Sequence, residues 1–179
     1  MAAAVKKVAG IFSSAGATVT EDCPTELIKE SNDLRSALST SDGRAWVKRM
    51  LKKYGTTQVS SVIALGDQPQ CDPARFTELA ELMDANRSKF LQWFSKYDLI
   101  LAPTDRAPAE PWPDEPRALT PEPGNYGHTP VYNNTGYPGA VVRAGTSPDG
   151  LPIGVQLIGH PMREDISLQR RPAKSSTIL

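Results

Sequence analysis

Apolar positions in the first hundred residues recur at helical spacing, and beyond them the period changes. Val5, Val8 and Phe12 stand at i, i+3 and i+7, and Gly16 follows as a C-cap into a short strand, Ala17 to Thr20. Pro24 and Thr25 open a second helical segment with Leu27, Ile28, Leu34 and Leu38 on one side and Glu26 in the first turn, where the helix dipole favours an acid. Asp42 is placed to N-cap a third helix, whose Trp46, Val47, Met50, Leu51 and Tyr54 form a stripe that Gly55 ends. Asp72 and Pro73 supply an N-cap and an N1 proline for a long helix carrying Phe76, Leu79, Leu82, Met83, Phe90, Leu91 and Phe94.

Tyr97 to Ala102 is a short apolar run stopped by Pro103, the pattern of a buried strand. Eight of the 16 prolines lie between Pro103 and Pro130, removing ladder donors, so 104–130 predicts an irregular proline-rich loop. Ala140 to Ala144 and Leu151 to Gly159 predict two strands of an antiparallel hairpin turned at Pro148-Asp149-Gly150. In that turn Gly150 is expected at positive φ, so that Gly150→Val is costly, while Ser147→Ala is expected to be tolerated. The chain from Arg163 starts like a helix, and 169–179 is expected to fray. Two runs, Tyr97 to Ala102 and Leu151 to Gly159, are apolar at nearly every position, as strands covered on both faces are. So few strands leave an unpaired edge, and the chain by itself is expected to self-associate, be poorly soluble or be partly molten.

Length adds that 179 residues with 39% hydrophobic content suffice for one compact domain. Twenty basic residues balance 20 acidic ones, so nothing steers the chain to nucleic acid or an anionic membrane. The longest apolar runs, such as Val62 to Leu65, are far below the ~20 residues of a membrane span. Cys23 and Cys71 lie far apart without metal-ligand spacing, which predicts a reducing, cytoplasmic setting. Val8 to Phe12 is below the ~7-residue minimum of a secretory h-region, so the start reads as a helix.

Candidate chemistry is sparse. Gly145 to Gly150 approaches a G-x-S-x-G elbow with one residue too many, but Pro-Asp-Gly after Ser147 makes a hairpin turn, not a helix start. No lysine has a serine three residues before it, and neither a P-loop nor G-x-G-x-x-G occurs, so no catalytic residue, metal or cofactor is assigned. His128 and His160 lack metal-type spacing and read as structural. Lys48, Arg49, Lys52 and Lys53 alternate with the Trp46 stripe as in a solvated helix covering a core, and Trp112 among its prolines reads as a surface loop.

Three blocks nevertheless carry a resemblance. Tyr97-Asp98-Leu99-Ile100-Leu101-Ala102-Pro103-Thr104, then Asn133-Asn134-Thr135-Gly136-Tyr137-Pro138, then Asp149-Gly150-Leu151-Pro152-Ile153-Gly154-Val155-Gln156-Leu157-Ile158-Gly159 are similar, in order and spacing, to the C-terminal third of the amidase signature family. The helix at 2–14 and the strand after it extend the similarity over 1–168. The resemblance implies an α/β fold, with helices packed on a partial mixed sheet, that is the C-terminal portion of the amidase signature fold. It also implies a family reaction, hydrolysis of carboxamide C–N bonds by a Ser-Ser-Lys mechanism whose parts belong to the N-terminal half. Here Ser13-Ser14, Ser60-Ser61 and Ser175-Ser176 are not embedded in glycines, so the chain is expected to be a truncated form, inactive alone, that meets a small amide substrate only when the missing half is supplied. Tyr132, Asn133, Thr135 and Gly136 carry over as substrate-cleft residues; the competing role is a turn with positive φ at Gly136. Arg143 stands where the family commonly has proline and Asn134 where it commonly has an apolar residue. The alternative is a non-catalytic interaction module that uses an exposed sheet edge or the proline-rich loop.

Overall fold

The computed structural model describes residues 1–59, 70–105, 107–108, 128–168 and 177–178. Helix α1, Ala2–Ser14, ends as its sequence predicts: Gly16 takes φ 96°. Its N–H bonds Ser13 O at 3.0 Å while that of Ala17 reaches Phe12 O at 3.1 Å, satisfying carbonyls the helix leaves open. Strand β1, Thr18–Val19, follows, then α2 over Thr25–Thr40. Helix α3, Ala45–Tyr54, has Arg44 at φ 59° as its N-cap rather than Asp42, whose carboxylate lies two residues earlier and accepts from Arg44 N at 2.8 Å and Trp46 N at 3.2 Å. Helix α4, Pro73–Phe94, is N-capped by Asp72, whose carboxylate accepts from Arg75 N at 2.8 Å.

Strand β2 is Ile100–Pro103, and a short helix α5 takes Pro130–Thr135 where the proline-rich loop was expected to end. Most of 104–130, including Trp112, lies outside the described residues. The predicted hairpin is present: β3, Gly139–Thr146, and β4, Pro152–Ile158, pair antiparallel. Helix α6, Glu164–Leu168, follows, and of 169–179 only strand β5, Thr177–Ile178, is described, parallel to β1.

The strands form an antiparallel sheet in the order β2-β4-β3 and a separate β1-β5 pair. Strand β4 is central, and from Val155 to Ile158 its side chains are buried on both faces, while Pro152 at its start is exposed. Alternation sorts them: Val155 and Leu157 join Leu101 and the half-buried Val5, Val8 and Phe12 of α1 on one face. Ile158, with Ile100 and Ala102, meets Phe90 and Phe94 of α4 and Val131 and Tyr132 of α5 on the other. Helix α4 also packs Leu79 and Met83 on Leu34 of α2.

Two expectations are corrected. No residue of α3 is buried, and Trp46 is 60% exposed, so α3 covers no core among the described residues. In the hairpin turn Gly150 has φ 81° as expected, but Ser147 is not a passive position. It is buried, and its Oγ accepts from Leu151 N at 3.1 Å, so Ser147→Ala costs about 1 kcal/mol.

Candidate functional site

The segment from Pro130 to Pro138 is the natural place to seek a site, and its own residues explain its shape. Proline opens α5 at N1, and Gly136 closes it at φ 73°, with its N–H on Tyr132 O at 2.9 Å. Asn134 points inward: its amide donates to Ser31 Oγ at 2.9 Å and Ser31 O at 3.3 Å, so a polar residue fills an apolar position without an unmet donor. Arg87 of α4 donates from Nε to Asn134 O at 2.6 Å, and its guanidinium is held in turn by Asp84 at 2.7 Å. Bonds to both α2 and α4 thus fix α5.

The four residues expected at a cleft are brought together on this turn, but they face different ways. Tyr132 is 9% exposed in the apolar core, its ring edge-on to Phe90 at 6.4 Å, and burial holds its phenol far above the usual range. The Thr135 hydroxyl donates to Val131 O at 3.0 Å and is used by the helix itself. Gly136 supplies the positive φ, and Asn133 is exposed. Tyr137 is buried nearby, with its phenol pushed up to about 12 by desolvation. Its hydroxyl has no hydrogen-bond partner among the described residues.

Asp22 and Gln156, which sequence reasoning missed, and His160 join the neighbouring elements. Asp22 Oδ2 accepts from Tyr97 Oη at 2.6 Å and from Trp93 Nε1 at 3.0 Å; the Tyr97 hydroxyl, then the Trp93 indole, hold its carboxyl below the usual range. His160 lies flat on Phe94 with ring centroids 3.9 Å apart, and its Nε2 pairs with Tyr97 O at 2.7 Å, the structural role expected of it. Gln156, a polar residue inside an apolar run, donates to Pro103 O at 2.8 Å. The glycines around it need their small size: a Cβ on Gly159 would lie 2.8 Å from Arg163 O, and one on Gly154 3.2 Å from Val141. Arg143 lies exposed on β3 and donates to Gly145 O at 3.3 Å and Thr146 Oγ1 at 2.8 Å.

A cavity of about 510 Å³ opens between α1, β1 and β2, walled by Val5, Ala9, Val19, Leu101 and Pro103 and rimmed by Lys6, Glu21, Asp22, Asp105 and His128. None of the four α5 residues lines it. Among the described residues no serine hydroxyl bonds a lysine, no group of three or more His, Cys, Asp and Glu is placed to hold a metal, and no helix is long and apolar enough to cross a membrane. The turn is thus a rigid frame, and among the described residues it brings no serine and lysine into contact.

Comparison with known proteins identifies the family. The family model described as Amidase matches residues 1–168. A glutamyl-tRNA(Gln) amidotransferase subunit from Mesorhizobium japonicum is 40% identical over 74 residues, which are 40% of this chain and 14% of that protein. The protein of the same name from Xanthobacter autotrophicus is 54% identical over 37 residues, 21% of this chain and 8% of its own length. The solved structure of 6-aminohexanoate cyclic dimer hydrolase superposes with TM-score 0.66 at 21% identity, covering 92% of this chain and 38% of that one. The chain thus spans well under half the length of the proteins it resembles.

Proposed function

The chain belongs to the amidase signature family, and we propose from that premise that it is the C-terminal portion of an amide-hydrolysing domain, inactive until the complementary portion is supplied. One observation carries this proposal: the family match runs over 1–168, while the chain amounts to 38% of a structural relative's length and no serine–lysine pair is in contact among its described residues. A general base contributes about 10² to 10⁴ in rate only within hydrogen-bond reach of its nucleophile. In this division the complementary portion brings the serines and lysine that attack a small-molecule carboxamide and cleave its C–N bond. The present chain supplies the frame and one wall of the cleft. Of the α5 residues, exposed Asn133 and the Gly136 backbone remain open to a substrate, whereas Tyr132 and Thr135 act by holding the turn. Two free cysteines suit work in a reducing cytoplasm.

Incubation with a fluorophosphonate serine probe followed by intact-mass measurement tests the division. No adduct is expected on the chain alone, and joining it to the N-terminal portion of a similar amidase is expected to produce a stoichiometric adduct and amide hydrolysis. An adduct on a serine of this chain by itself overturns the proposal. A joined protein that stays inert moves the preference to a non-catalytic interaction module.

A further inference from the structure

Helix α3 is a basic amphipathic helix on the surface of the described residues, and we propose that it docks the chain on an anionic lipid bilayer. The net charge of the chain is zero, but the charge is unevenly placed: α3 carries Lys48, Arg49, Lys52 and Lys53 and no acidic residue. On other helices basic side chains answer carboxylates, as in Lys29–Asp33 at 3.0 Å, Arg87–Asp84 at 2.7 Å and Lys89–Glu30 at 3.3 Å. Among the described residues the four basic groups of α3 take no carboxylate partner, and the Lys53 ammonium lies 5.3 Å from the centre of the Tyr54 ring instead.

The occupant follows from how charge and apolar surface share the helix. At about 100° per residue, Trp46, Met50, Tyr54, Val47 and Leu51 succeed one another round an arc of about 140°, and Lys48, Lys52, Arg49 and Lys53 fill an arc of similar width opposite. Within the apolar arc Trp46 and Tyr54 are exposed, in the first and last turns, while Val47, Met50 and Leu51 are half-buried. Trp and Tyr are the side chains that favour the headgroup level of a bilayer. Basic residues border the arc on both edges, Lys53 beside Trp46 and Lys48 beside Leu51, so their stems can run along the apolar layer while the ammonium groups reach headgroup phosphates. A protein groove would need the apolar arc alone; the bilayer surface complements the arc and its charged borders together.

Sedimentation of the full chain with phosphatidylcholine vesicles, with and without about 30% phosphatidylserine, tests the docking. The chain is expected to bind the anionic vesicles and not the neutral ones, and binding is expected to fall about tenfold or more between about 0.1 M and about 0.5 M salt. Tryptophan emission is expected to shift to the blue on binding, and the shift to disappear in Trp46→Ala. Each lysine facing an anionic surface is worth about fivefold in partitioning, so the double variant Lys48→Ala, Lys52→Ala is expected to bind about 25-fold more weakly. Lys29→Ala, an exposed lysine of α2, is expected to leave binding nearly unchanged, and urea melts of all variants are expected to match the native chain. Equal binding to neutral vesicles, or an equal loss in Lys29→Ala, overturns the proposal in favour of diffuse adhesion. Failure to bind either vesicle overturns it outright. A dimer by light scattering without lipid, abolished by Trp46→Ala, overturns it in favour of a second copy on this face. None of these outcomes bears on the amidase reading, which the serine probe tests separately.

Discussion

Helices α3 and α4 are built from the same kind of pattern and end in opposite situations. Helix α3 has apolar Trp46, Val47, Met50, Leu51 and Tyr54 on one arc and Lys48, Arg49, Lys52 and Lys53 on the other, yet Trp46 and Tyr54 are 60% and 70% exposed. Helix α4 spreads its apolar residues more widely, leaves Phe76, Leu82 and Leu91 at 40 to 50% exposure, and buries Leu79, Met83, Phe90 and Phe94. Asn86, a polar residue in the same seam, is 0% exposed and donates to Leu27 O at 3.1 Å and Glu30 Oε2 at 2.8 Å. Periodicity marks the face a helix would bury. Burial itself needs a second surface, and α4 finds one on α2, α5 and the sheet while α3 finds none among the described residues.

The sharpest way to break this contrast is to truncate both helices and compare urea melts. Phe94→Ala is expected to lose about 3–5 kcal/mol, because a fully buried ring stacked on His160 leaves a cavity. Next in size, Asn134→Ala is expected to lose about 1–3 kcal/mol by stripping Ser31 of its buried partner and loosening α5 from α2; an unchanged midpoint would show α5 held by apolar contact alone.

A smaller effect separates the α4 end by pH. The folded carboxyl of Asp22 titrates below its ordinary 3.8, chiefly through the Tyr97 hydroxyl, so its contribution is fully present above that value and is lost as pH falls through the folded value. Melts from about pH 5 downwards are therefore expected to show a steeper loss in the native chain than in Asp22→Asn; equal slopes would remove Asp22 from the anchor. Trp46→Ala comes last, with an expected change within about 0.5 kcal/mol. A loss of the size found for Phe94 would mean that α3 is covered after all.

Much of the frame is legible locally, because its signals act within a few residues. Asp72-Pro73 starts α4, Gly16 ends α1, and Asp149-Gly150 turns the hairpin, each through a backbone preference that needs no distant partner. The α5 block is legible as a motif but not as an arrangement. Nothing in Asn133-Asn134-Thr135 says that the second asparagine turns in to Ser31 while the first faces out, since that depends on α2, a hundred residues earlier in the chain.

What the sequence determined alone is therefore the family, the α/β class, the existence of the four long helical segments and of the hairpin, and the lack of a serine-hydrolase motif. What tertiary structure decided is which faces meet: that β4 is sandwiched between α1 and α4, that Asn86 and Gln156 are core residues, that Ser147 ties a turn, and that α3 buries none of its residues among those described. The reason is physical. Caps, turns and periodicity are energies of neighbouring residues, whereas burial and polar pairing are energies of surfaces brought together from far apart, and a surface is covered only where a partner of matching shape is present.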